Sequence, residues 1–212
     1  MKSRFSLKKI FPLLLFLLLI FNKPSMAQTS IGVGLGNAYL QPVGSLHDWF
    51  SGSFNAPRLE FIFNRQSSGL WHIFATAIHF DQPNKDKLFY KDLHLDLKLY
   101  GLGVGYLSFL SRPVWGLQPF GQAEVTLFRW QALRGAYQLE ERLVPERFQQ
   151  GWSFAGSLGA GLLVHLTSNL KISTSINYQL VVAELWPALS LHLENVSGLQ
   201  MAGLNLKLQW WF

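Results

Sequence analysis

Ser190, His192 and Glu194 in the stretch SLHLE are spaced two apart, so an extended backbone would bring all three to one face. A hydroxyl, an imidazole and a carboxylate are the residue types of nucleophilic acyl transfer: attacking group, base and the acid that orients the base. Same-face neighbours on a strand nevertheless stand about 7 Å apart, beyond hydrogen-bond reach. Leu189, Leu191 and Leu193 account for the same alternation as an extended wall. A second stretch, HLTSN, holds His165, Ser168 and Asn169, but it falls on a short turn between two strand-like segments. His47, His72, His79, His94, His165 and His192 are scattered, without the His-Glu-x-x-His spacing that puts two imidazoles on one helical face, so no metal site is expected. The glycines of GVGLGNAYLQPVG alternate along a strand and do not open a helix, which removes the phosphate-cradling reading and leaves no cofactor implied. Cysteine is absent, and with it thiol chemistry, disulfides and cysteine lipidation. No residue is assigned a catalytic, cofactor-binding or metal-binding role.

The elements that would position any chemistry begin after residue 27. MKSRFSLKKI carries Lys2, Arg4, Lys8 and Lys9, the apolar block from Ile10 to Phe21 follows, and Ser25-Met26-Ala27 supplies small residues for cleavage. This is the pattern of a secretory signal peptide over 1–27, too short in its apolar part to span a bilayer as a helix. Five of the 18 lysines and arginines lie in that segment, leaving 13 against 12 acidic residues in 28–212. The exported chain is close to neutral, which argues against a nucleic-acid partner.

Segment 28–212 reads as one all-β domain of eight alternating strands. Ile31, Val33 and Leu35 oppose Gly32, Gly34 and Gly36; Leu59, Phe61 and Phe63 oppose Arg58, Glu60 and Asn64. A third strand, about 70 to 81, is apolar on both faces. In the fourth, about 93 to 109, Leu93, Leu95, Leu97 and Leu99 share one phase and Leu102, Val104 and Tyr106 the other, a change that predicts a bulge near Leu99 and Tyr100. The fifth (117 to 130), sixth (152 to 166) and seventh (about 170 to 182) alternate cleanly, and GLNLKLQWWF ends the chain with Leu204, Leu206, Leu208, Trp210 and Phe212 in one phase. Short turns (QSSG, SRPVWG, TSN) alternate with long connections at about 42 to 54, 82 to 92, 132 to 149 and 185 to 198. That alternation puts all short turns at one end of an up-and-down antiparallel sheet and all long loops at the other.

Two features point the apolar face outward. The polar face is rich in glycine and serine and carries Arg58, Glu60, Glu124, Lys171 and Lys207, which suits a narrow closed lumen in which charges satisfy one another. Tryptophans avoid mid-strand: Trp71, Trp115, Trp210 and Trp211 fall beside short turns or the terminus, and Trp49, Trp130, Trp152 and Trp186 near long loops. Indole favours the water-lipid boundary, so Trp71, Trp115, Trp130, Trp152, Trp186, Trp210 and Trp211 are expected to form two aromatic belts.

The stretches GLGNAYLQPVGSLHDWF, YGLGVGYL and GLNLKLQWWF, with the eight-strand pattern across 28–212, resemble eight-stranded outer-membrane β-barrels of the OmpA and OmpX type. They are similar in particular to the small porin-family outer-membrane β-barrel-domain proteins of Bacteroidetes-like bacteria. The resemblance implies an antiparallel up-and-down transmembrane barrel with short periplasmic turns and long extracellular loops, lying in the bacterial outer membrane among its lipids and lipopolysaccharide. It also implies insertion by the outer-membrane assembly machinery, which reads a last strand ending in an aromatic residue; Leu208, Trp210 and Phe212 match that signal. One class of lipid A-editing barrels uses a His-x-Ser-Asn stretch, and HLTSN departs from it by one inserted residue and by its place on a turn.

Three functions remain in order. The first is a non-enzymatic role in envelope integrity or surface interaction, including that of a subunit of an outer-membrane complex. The second is a narrow pore or hydrophobic-solute conduit, and the third a lipid A-modifying enzyme. The mixed charges of DQPNKDKLFYKD and LEERLVPER fit solvated loops, with contact to lipid A phosphates or to a protein partner as the functional alternative.

Overall fold

The computed structural model describes residues 30–66, 69–88, 93–139, 142–182 and 198–212. The expected signal segment 1–27, Trp186 and the Ser190, His192 and Glu194 triplet lie outside the described residues. In chain order the strands are β1 (Ser30–Val43), β2 (Arg58–Gln66), β3 (Gly69–Phe80), β4 (Leu95–Phe109), β5 (Leu117–Arg134), β6 (Tyr137–Leu139), β7 (Arg142–Val144), β8 (Arg147–His165), β9 (Leu170–Val182) and β10 (Leu199–Trp211). Eight of them close a barrel in the order β1-β10-β9-β8-β5-β4-β3-β2, all pairs antiparallel, while β6 and β7 form a separate small hairpin. The last strand meets the first along Gly32↔Trp211 to Val43↔Gln200, so no barrel strand keeps an unpaired edge along its whole length.

Alternation along each strand sorts side chains between lumen and exterior. On β10, Asn205, Lys207, Gln209 and Trp211 are buried inside, while Leu204, Leu206, Leu208, Trp210 and Phe212 are exposed outside. On β3, where both faces are apolar, Leu70, His72, Phe74, Ile78 and Phe80 point in and Trp71 and Ile73 point out.

The bulge expected near Leu99 and Tyr100 does not occur. β4 pairs without a register break from Leu97 to Ser108 along β3 and from Leu95 to Phe109 along β5. Leu95, Leu97 and Leu99 point into the lumen and Leu102 and Val104 point out, so the apolar phase changes because the lumen becomes apolar at its outer end. A register irregularity exists between Phe63 and Gln66 on β2, beside the first short turn. The connection expected over 132 to 149 is also shorter: β5 and β8 continue as a paired ribbon to Arg134↔Arg147, with the β6–β7 hairpin at its tip.

Glycines on the inward face set the lumen's capacity. A Cβ at Gly34 would meet Glu60, at Gly36 Lys207, at Gly105 His72 and Glu124, and at Gly103 the Phe74 ring and the Val125 carbonyl. β1 and β4 therefore contribute space where β2, β3, β5 and β10 contribute bulk. Gly103→Val is expected to destabilise the folded barrel by about 1–3 kcal/mol through overpacking. Gly156→Ala, on the outer face with nothing within 4 Å of its added carbon, should stay within about 0.5 kcal/mol. Urea unfolding followed by tryptophan fluorescence reads both, and equal shifts would contradict the size complementarity.

Candidate functional site: the filled lumen

The lumen holds three tiers. At the outer end Leu40, Phe80, Leu95, Leu97, Leu99, Phe128, Trp130 and Met201 are buried together, closed from above by Leu46 and Phe50 of the first long connection. That connection contains a 3-10 turn, Gly44–Asp48, and is tied to the second. Ser51 N donates to Gln82 O at 3.0 Å, Asn84 N to Trp49 O at 2.9 Å, and Asn84 Nδ2 to His47 O at 2.7 Å. At the turn end Ile62, Leu70, Leu107, Phe120, Leu163 and Trp211 form a second apolar cluster. Between them lies the polar tier.

Glu124 is the centre of that tier. Arg58 grips it with two N–H groups, Nη2 to Oε1 at 2.7 Å and Nη1 to Oε2 at 3.0 Å, the fork geometry that carboxylates match best. His72 Nε2 lies 3.0 Å from Oε1, and Ser157 Oγ donates to Oε2 at 3.2 Å. Arg58 Cζ also stands 3.5 Å from the centroid of the Phe74 ring. Glu60 is the second hub: Lys207 Nζ donates to its Oε2 at 3.1 Å, Gln209 Nε2 to its Oε1 at 3.3 Å, and Arg58 Nε lies 3.3 Å from Oε2 without a hydrogen bond aimed at it. One row further out on β10, Asn205 Nδ2 makes a separate contact, donating to Asn177 Oδ1 at 2.9 Å. Two cations face two carboxylates, so the desolvation cost of each charge is offset by a close partner.

The structure thus brings Arg58, Glu60, Glu124 and Lys207 together and leaves Lys171 apart. Lys171 sits beside the β8–β9 turn with its Nζ 4.0 Å from the centroid of the Trp211 ring, a cation–π contact, and not on a carboxylate. Ser157, Asn205 and Gln209 lie on the expected polar face but were not expected in its hydrogen-bond contacts, nor was His72, whose phase, two residues from Leu70 and Phe74, is what places it inside.

The tryptophan expectation needs two corrections. Trp130 and Trp211 are 6% and 4% exposed and point into the lumen, because they continue the inward phases of Glu124, Thr126 and Phe128 and of Lys207 and Gln209. Trp71, Trp152 and Trp210 point outward, Trp115 stands in the β4–β5 turn, and Tyr106, packed on Trp71 with ring centroids 5.0 Å apart, was missed. Leu208, Trp210 and Phe212 all lie on the outer face.

As chemistry, the lumen offers an imidazole against a carboxylate, but the Ser157 hydroxyl donates to Glu124 and not to His72, so no nucleophile is aligned on the base. The HLTSN residues are engaged in holding the turn: Asn169 Nδ2 donates to Trp211 O at 2.9 Å and Ser168 Oγ to Asn169 Oδ1 at 2.6 Å. Among the described residues no three His, Asp or Glu side chains are grouped to hold a metal ion. One cavity of about 30 Å³ lies between the polar and outer apolar tiers, beside Arg58, Phe74, Glu124 and Asn177. It has room for roughly two water molecules.

No protein-family model matches the sequence, and no curated protein matches it. Solved structures do. Neisserial surface protein A is 15% identical with a TM-score of 0.55, the match covering 88% of this chain and 98% of that one. A major outer membrane protein from Thermus thermophilus is 9% identical with a TM-score of 0.59, covering 88% of this chain and 100% of the other. Strand number, closure and order together give this chain the fold of an eight-stranded outer-membrane β-barrel.

Proposed function

We propose that the protein is an integral barrel of the bacterial outer membrane, exported by segment 1–27, with a non-enzymatic role: a sealed anchor that holds its long connections at the cell surface. The carrying observation is the contrast between its two faces. The inside is packed with the side chains of the three tiers, whereas the outside exposes Leu35, Phe61, Leu102, Val125, Leu158, Ile176 and Leu206 around the barrel. A continuous apolar girdle of this kind is foreign to a water-soluble monomer and fits a bilayer. On β10 the outward apolar residues run from Ala202 to Phe212, the strand length a hydrocarbon core requires. Trp71, Tyr106 and Trp210 near the turns and Tyr100 and Trp152 near the outer end would lie at the two lipid boundaries.

Outer-membrane lipids and lipopolysaccharide are then the immediate surroundings, and the assembly machinery acts on Leu208, Trp210 and Phe212 during insertion. The first connection, hydrogen-bonded to the start of the second, forms an outer platform suited to envelope integrity, to contact with a protein partner, or to a place in an outer-membrane complex. A pore or hydrophobic-solute conduit is disfavoured by the two apolar plugs that the described residues form at the ends of the lumen. The purified protein in planar bilayers is expected to give no unitary conductance, in line with an eight-stranded barrel filled by its side chains. Stable single-channel steps would replace the sealed anchor by the narrow pore.

A further inference from the structure

Arg129 is out of place on a lipid-facing wall. Among the strand side chains described, the charged groups on the outer face are Asp96, Lys98 and Arg129, all toward the outer end. Asp96 is shared by Lys98 Nζ at 3.2 Å and His79 Nε2 at 3.0 Å, so the Lys98 charge is balanced locally. Arg129 is not. Its Nη2 donates to the neutral Gln150 Oε1 at 2.7 Å and its Cζ stands 5.5 Å from the centroid of the Trp152 ring. Among the described residues no carboxylate is within ion-pair distance of it.

The barrel register fixes what lies around this cation. Arg129 is level with Tyr100 on β4 and Trp152 on β8, and Lys98 stands one row further out, level with Gln131. Toward mid-barrel the wall forms an open groove of about 810 Å³ lined by Ala75, Tyr100, Leu102, Leu127, Arg129 and Trp152. Small Ala75 on β3 leaves a hollow beside the projecting Leu102, and the lining is almost wholly apolar, with the Arg129 guanidinium at its edge, turned to Gln150. An apolar groove below and a guanidinium without a carboxylate partner among the described residues immediately above, one arm on Gln150, form the negative image of one ligand class.

We propose that this groove seats a phosphorylated, acylated lipid of the outer leaflet, an acyl chain lying along Leu102 and Leu127 and a phosphate received by Arg129, with Lys98 as a second, weaker contact. The site rests on the membrane reading above and adds a chemically specific occupant to it. Planar bidentate donors favour phosphate over a neutral headgroup, and Gln150 and Trp152 hold the guanidinium at the depth where headgroups begin. Among the described residues no free anion competes for it: Asp96 is engaged by Lys98 and His79.

The test uses folded protein in phosphatidylcholine nanodiscs, with native mass spectrometry counting retained bis-phosphorylated lipid A, its dephosphorylated form, or lipid A in the presence of excess inorganic phosphate. Folding is checked on the same sample by the mobility shift of unboiled protein. Bis-phosphorylated lipid A is expected to be retained by the native chain and about tenfold less by Arg129→Gln, the loss of one charge-assisted contact. Arg129→Lys should fall between the two, and Lys98→Gln should change retention less than Arg129→Gln. Equal retention by native and Arg129→Gln protein, both folded, overturns the site and leaves the membrane barrel standing. Equal retention of dephosphorylated lipid, or displacement by inorganic phosphate alone, overturns the phosphorylated-lipid assignment. Failure of the native chain to fold in the nanodisc removes the membrane reading and the site with it.

Discussion

Glu124→Ala is expected to lower the stability of the folded barrel by about 3–5 kcal/mol, the usual result of deleting one partner of a buried ion pair. The carboxylate holds Arg58 through two hydrogen bonds and also receives His72 and Ser157, so its removal strands three donors at once. Arg58 and Lys207 would then share Glu60 as the remaining carboxylate of the tier. The apolar clusters above and below prevent bulk water from replacing the lost partner. Arg58→Met combined with Glu124→Leu should recover most of the loss, because removing both charges also removes the cost of burying them. Urea midpoints at constant m-value report the difference. A single-variant effect below about 1 kcal/mol would mean that water reaches Glu124, and the sealed lumen would fail together with the non-conducting behaviour expected in planar bilayers.

The division of the wall into two faces was legible because alternation is a local property of each strand. Arg58 and Glu60 between Leu59 and Phe61, or Lys207 between Leu206 and Leu208, declare their phase without knowledge of any other strand. Which charge meets which was not legible. Arg58 on β2 reaches Glu124 on β5, 66 residues away, because closure brings opposite walls within one side-chain length. Lys171 has the same phase on its strand but a different height, and height decided its partner: it meets Trp211 at the turn end and not Glu60 in the middle.

Polarity also failed as a guide wherever the lumen itself is apolar. Leu95, Leu97 and Leu99 read as a lipid-facing run that slips phase, yet the phase is constant and the environment changes. Trp130 and Trp211 were misplaced for the same reason: at strand ends both the lipid boundary and the plugs of the lumen accept an indole, and only parity with Glu124 or Lys207 separates the two.

Ile176→Arg sets the membrane reading against a water-soluble one, since the two assign opposite consequences to the same atoms. Ile176 is 69% exposed, at mid-strand on β9 between Ala160 of β8 and Leu204 of β10. If water covered that face, replacing an exposed isoleucine by arginine would remain within about 0.5 kcal/mol of neutral. In a bilayer the guanidinium must be held in hydrocarbon or drawn toward a headgroup, at a cost of about 2–4 kcal/mol near the midplane. Gln131→Arg places the same side chain on the same outer face, one row beyond Arg129 and level with Lys98, and should cost only about 0–1 kcal/mol because the penalty fades toward the interface. Unfolding in lipid vesicles, with both variants measured against the native chain, isolates depth from the chemistry of arginine itself. Equal costs at the two positions would place water, and not lipid, against the middle of the barrel.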